Sequence, residues 1–207
     1  MNKMPDITIW APWGAGGNHL RWLLLLDSRF IFYNLYTVDE KIKFIFTNVY
    51  NENRTFRNWL SYEWRYKSDL QDLIYFEHPD NLLNPGWDNR LDLFNRFNIF
   101  IESRDKFLPY KLYRKFNSNF NGIIIDSFID RCEYTFNEVP VLLNHISGKL
   151  IDLVDLYCPL LDKDMYHDLI DYLQLDDNYQ TAQKVHYRWF ELQIRAEKDF
   201  VMNNVKL

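Results

Sequence analysis

Glycine is scarce in this chain, with six in 207 residues, and cysteine scarcer, with two. Cys132 and Cys158 stand in unrelated contexts, too few and too scattered for a disulfide framework or a zinc pattern. Runs of like charge are missing as well, and the net charge is −5. That balance argues against nucleic acid as the main partner, because phosphate contacts leave a basic footprint. It leaves room for a small anionic ligand, which needs only a local positive pocket. Long apolar stretches are absent too, since a run such as Leu23–Leu26 is far too short to span a membrane. The opening residues, Met1–Asp6, are polar, and the apolar run after them is broken by Pro12 and the glycines. No secretory signal and no membrane are therefore expected, and the location expected is cytoplasmic.

What is present reads as a globular fold. Hydrophobic residues make up 47% and charged residues 26%, enough apolar material for a core and too little charge for disorder. No repeat or low-complexity linker divides the chain, so a single domain over residues 1–207 is expected. The pattern predicts strands at Ile7–Ala11, Lys41–Phe46, Leu73–Phe76, Asn98–Glu102, Ile123–Ile125 and Leu150–Leu153. It predicts helices from Asn18, whose side chain suits an N-cap, and over Phe56–Leu70, Asp88–Phe97, Arg104–Phe116, Pro159–Leu173 and Gln180–Val201. Strands alternating with helices argue for an α/β fold, a three-layer sandwich around a mainly parallel sheet.

Three of the six glycines, Gly14, Gly16 and Gly17, fall within four residues, between the first strand and the first helix. Glycine permits positive φ and close backbone approach, so successive N–H groups can converge on an anion. The helix that follows adds its unpaired N–H groups and the positive end of its dipole. Phosphate binding is one reading, and a tight turn without a ligand is the other. The Walker pattern is absent, since Gly16-Gly17 is followed by Asn18-His19 and not by Lys-Ser/Thr. The dinucleotide pattern fails at its last position, which is His19. An ATPase or GTPase is not expected.

The ordered set "APWGAGGNHLRWLLLL", "LIYFEHP", "NIFIESRDKFLPYKLYRKF", "KLIDLVDLYCPLLDKDMYHDLIDYLQL" and "AQKVHYRWFELQIRAEKDF" resembles the sulfotransferases, a branch of the P-loop fold. The resemblance implies a P-loop NTPase-like sandwich that binds 3′-phosphoadenosine 5′-phosphosulfate as sulfuryl donor. Gly14, Ala15, Gly16, Gly17, Asn18 and His19 would form the loop that cradles the phosphosulfate. Arg104 would hold the 3′-phosphate, and His78 would be the general base. The implied reaction moves a sulfuryl group to a hydroxyl or amine of a small-molecule or glycan acceptor, and requires no metal. Two positions depart from the family. The loop's usual Lys or Arg falls on Trp13 or Ala15, and the serine expected eight residues after the 3′-phosphate arginine is Leu112. Arg21 is the nearest cation that could stand in. These losses keep a second function open, a catalytically silent domain that binds a nucleotide or a partner.

Each residue also has a plainer role to set beside the functional one. His78 before a proline suits a polar loop. Arg104 suits an ion pair with Glu102 or Asp105, and His19 a surface helix start. His145, His167 and His186 lack metal-ligand spacing and suit core or surface roles. The sequence leaves the oligomeric state open.

Overall fold

The computed structural model describes residues 6–11, 16–51, 70, 73–77, 96–105 and 146–204. Within them lies a sheet of four parallel strands: β1 (Ile7–Trp10), β2 (Ile74–Glu77), β3 (Phe97–Glu102) and β4 (Gly148–Asp152). Their order is β2-β1-β3-β4. Ile7 pairs with Ile74 on one side and Phe97 on the other, and Glu102 pairs with Asp152. Parallel neighbours need crossovers, so every strand ends at the same edge of the sheet.

Alternation along the strands divides their side chains between two faces. Ile7, Ile9, Ile99, Ile101 and Ile151 join the hydrophobic core built with α1 (Gly17–Leu24) and α5 (Tyr179–Asn204). On α5 that core takes Ala182, Val185, Trp189 and Leu192, spaced for one helical stripe. Thr8, Trp10, Asn98 and Phe100 alternate with the isoleucines and are buried as well. A central parallel strand is buried on both faces, which is why β1 and β3 read as largely apolar runs with one polar residue inside each, Thr8 and Asn98. Trp10 stacks on Phe100 at 6.1 Å, and its Nε1 donates to Asn98 Oδ1 at 2.9 Å.

The remaining described helices are α2 (Val38–Phe44), which runs on as a π-helical turn over Ile45–Val49, α3 (Leu153–Leu156) and α4 (Lys163–Leu173). Several expectations are corrected here. Residues 41–46 are helical, not a strand. Lys41-Ile42-Lys43-Phe44 imitates period-two alternation, but Thr37 and Glu40 form a capping box that starts a helix. The cap of α1 is Gly16 and not Asn18, because the chain turns there at φ 71°, a conformation open to glycine. Leu153 begins α3 and does not end β4, since Asp152 accepts from Val154 N at 2.9 Å. Helix α4 begins at Lys163, with Asp162 accepting from Met165 N at 2.7 Å. Phe97 opens β3 and does not close a helix, and Arg104 and Asp105 lie in a bend. The helix expected over 56–70 and the strand over 123–125 lie outside the described residues, apart from Leu70 in a turn. Among the described residues no helix is long and apolar enough to cross a membrane.

Candidate functional site

The C-terminal ends of β1 and β3 mark the point where the described strand order reverses, with β2 to one side and β4 to the other. Open α/β sheets form a ligand crevice at such a point. Gly16 enters α1 there in the left-handed region, and among the described residues no side chain caps the helix. Leu20 N bonds Gly16 O at 2.9 Å, the first backbone bond into the helix. The N–H groups of Gly17, Asn18 and His19 precede it, and unpaired N–H groups of a first turn are what an anion would meet. No acidic residue stands in that turn. Asn18 Oδ1 is buried there with no hydrogen-bond partner.

His19 is turned inward. It is 1% exposed, and both ring nitrogens are engaged: Nδ1 with Tyr50 Oη at 3.1 Å, Nε2 with His186 Nδ1 at 3.0 Å. The Trp189 ring stacks on it at 4.1 Å. Burial, then the neighbouring His186, holds its pKa well below the usual value. The ring thus belongs to an internal network, and at this position only the backbone N–H is offered to a ligand.

Arg104 follows β3, with its side chain 66% exposed. It pairs with neither Glu102 nor Asp105 in the described contacts; its Nε lies 3.1 Å from Asp152 Oδ2 and its Nη2 2.7 Å from Asp155 Oδ1. Both aspartates sit at the end of β4 and in α3. Glu102, beside Asp152 in the sheet register, has its pKa raised by burial and then by the Asp152 charge. The edge therefore carries a cation, but one already held by two carboxylates.

The structure brings Gly16, Gly17, Asn18 and Arg104 to one edge of the sheet. Gly14, Ala15 and His78 lie outside the described residues; Glu77, the residue before His78, ends β2 opposite Trp10. Arg21 is buried, and the removal from water brings its pKa down to about 10. Among the described residues, no group of three or more His, Cys, Asp or Glu could hold a metal ion. Sequence reasoning missed Asp152, Asp155, Tyr50 and the pairing of His186 with His19. The i, i+3 spacing of the two aspartates was a visible signal, whereas the histidine pair joins residues 167 positions apart. Comparison with protein-family models, characterised proteins and solved structures finds no match to this chain.

Proposed function

We propose that the chain is a sulfotransferase of the P-loop-type fold, moving a sulfuryl group from 3′-phosphoadenosine 5′-phosphosulfate to a hydroxyl or amine. The observation that carries this reading is the glycine turn at the end of β1, opening into a helix without a side-chain cap at the strand-order reversal. In this reading the N–H groups of Gly16 to His19 face the 5′-phosphosulfate, and Arg104 meets the 3′-phosphate. His78 takes the acceptor's proton as the new oxygen–sulfur bond forms. The bond from sulfur to the bridging phosphate oxygen breaks, and adenosine 3′,5′-bisphosphate leaves. Positioning and charge stabilisation by fixed donors supply the catalysis.

A second reading, a silent domain that binds the nucleotide without transfer, is favoured by the Asp152 and Asp155 pairs on Arg104 and by a loop without Lys or Arg. One experiment addresses both. Adenosine 3′,5′-bisphosphate at a hundredfold excess over its Kd should stabilise the protein by about 2.7 kcal/mol, and ATP with magnesium should not. A thermal-shift response to ATP alone defeats both readings. A response to the bisphosphate without transfer from the phosphosulfate to a panel of phenols, amines and sugars leaves the silent domain.

A further inference from the structure

His186 Nε2 lies 2.7 Å from the Cys158 carbonyl oxygen. A carbonyl only accepts, so this nitrogen carries a hydrogen. In a neutral ring His186 Nδ1 is then an acceptor, and His19 Nε2 must donate to it across 3.0 Å. His19 Nδ1 is left to accept, and Tyr50 O–H donates to it across 3.1 Å. Three hydrogen bonds thus run in one direction, from the π-helical turn after α2, through α1, to α5 and the Cys158 carbonyl.

This chain stands behind the glycine turn. His19 is in the first turn of α1, and Trp189, one turn along α5 from His186, stacks on the His19 ring at 4.1 Å. The same Trp189 ring has an atom 4.0 Å from where a Cβ on Gly16 would stand. We propose that Tyr50, His19 and His186 form an acid-sensitive latch, which holds the Gly16–Gly17 turn against the C-terminal helix while both histidines are neutral and releases it when they take up protons.

The proton count follows from the geometry. A first proton added at His19 Nδ1 lets the hydrogen on His19 Nε2 pass to His186 Nδ1, and the Tyr50 oxygen then accepts. The Tyr50–His19 and His19–His186 bonds survive with their direction reversed, and the bond to the Cys158 carbonyl is unchanged, but a buried cation has been created. Among the described residues, beyond its partner ring, His19 meets only Tyr50 and the Trp189 face, and His186 only Trp189 and the Cys158 carbonyl. No carboxylate among the described residues reaches either ring to balance the charge, although the Trp189 face offers weak help. A second proton places two N–H groups head to head at 3.0 Å, and the link breaks. Burial lowers the pKa of both rings, with the Cys158 carbonyl partly opposing it at His186. Both protons are therefore resisted in the folded protein and accepted in the unfolded chain, where histidine titrates near 6.5. The latch does not depend on what the turn binds.

Ring-nitrogen NMR on the full chain tests it without any ligand. At neutral pH both rings should carry hydrogen on Nε2, and both should titrate below pH 6.5, His19 well below it. Gly16 and Gly17 amide signals should then shift together with the rings. A ring with hydrogen on Nδ1 at neutral pH, a midpoint near 6.5 in the folded protein, or glycine signals that stay still while the rings titrate overturns the proposal. Independently, between about pH 6 and 5 the unfolding constant of His186→Gln should climb less steeply than that of the wild type, by up to tenfold per pH unit, because one proton is removed from the balance. Parallel profiles overturn it. If the variant does not fold, the wild-type ring signals decide alone.

Discussion

At Lys41 an ammonium group is enclosed by the fold, 0% exposed, with Nζ donating to the Asp27 carbonyl and lying 5.8 Å over the Phe32 ring. Burial brings its pKa down to about 8, against the pull of Asp27 and Asp176. The sign follows from proton counts. Between about 8 and 10.5 the unfolded chain holds a proton that the folded one has lost, so stability rises with pH across that window. Below about 8 both states are protonated, and the cost of about 3 kcal/mol is fully present. Lys41→Met should abolish this rise. Denaturant unfolding at pH 7.5 and 9.5 checks it, and an equal gain in variant and wild type sinks the idea. Asp27, nearby, is held the other way: burial pushes its carboxyl up, but Arg29 and the Asp176 N–H outweigh that and keep it below the usual range. Gly148 makes a second residue-scale case. A Cβ there would stand 2.9 Å from the Asn98 carbonyl oxygen and meet the Phe100 ring. Gly148→Ala should cost about 1–3 kcal/mol through overpacking. Trimming the ring with Phe100→Leu should recover part of that loss in a double-mutant cycle, and strict additivity would show that the ring is not the obstacle.

Among the elements, the strands were the most legible. β1, β2 and β3 lie within a residue of their expected bounds, because each is a short run rich in Ile, Phe, Tyr or Trp, the composition a parallel strand favours. Helix α5 was legible for a similar reason, since Ala182, Val185, Trp189 and Leu192 keep one stripe over three turns. Residues 41–46 imitate a strand because their alternation lies in side chains whose burial is set by tertiary contacts; Lys41 goes inward where a strand pattern would turn it out. The local signal was Thr37-x-x-Glu40: Thr37 Oγ1 accepts from Glu40 N at 3.3 Å, and Glu40 Oε2 accepts from Thr37 N at 2.9 Å. Thr37→Ala should therefore destabilise the protein by about 1 kcal/mol, seen as a lower denaturant midpoint with an unchanged slope. A change under a few tenths would mean that the helix is held by packing alone. Of the candidate site, the turn at Gly16 was legible because positive φ leaves a compositional trace. The inward turn of His19 was not, because it depends on His186, far away in sequence, arriving on the other side.

Taken whole, the molecule is acidic, yet the ligand proposed for it is a multiply charged anion. With a net charge of −5, long-range attraction does not favour the encounter, so a local cation must carry recognition. At the described part of the edge that cation is Arg104, and Asp152 and Asp155 already occupy it. The sheet enforces this competition: β3 and β4 end side by side, with Glu102 in register with Asp152, so the guanidinium after one strand meets the carboxylates after the other. A 3′-phosphate must therefore displace at least one aspartate. Asp155 is the one to test, because Asp152 also caps Val154 N and its loss would disturb α3. The Arg104–Asp155 contact is exposed on both sides, so Asp155→Asn should change folding stability by no more than about 1 kcal/mol. It should nevertheless tighten adenosine 3′,5′-bisphosphate, up to about tenfold or 1.4 kcal/mol, by removing the competing charge. Adenosine 5′-phosphate, which lacks the 3′ group, should gain much less. Titration calorimetry with both nucleotides makes the comparison. Equal gains would place the effect in the general field of the edge, and no gain for the bisphosphate would mean that Arg104 remains a strand-end ion pair and does not bind the phosphate.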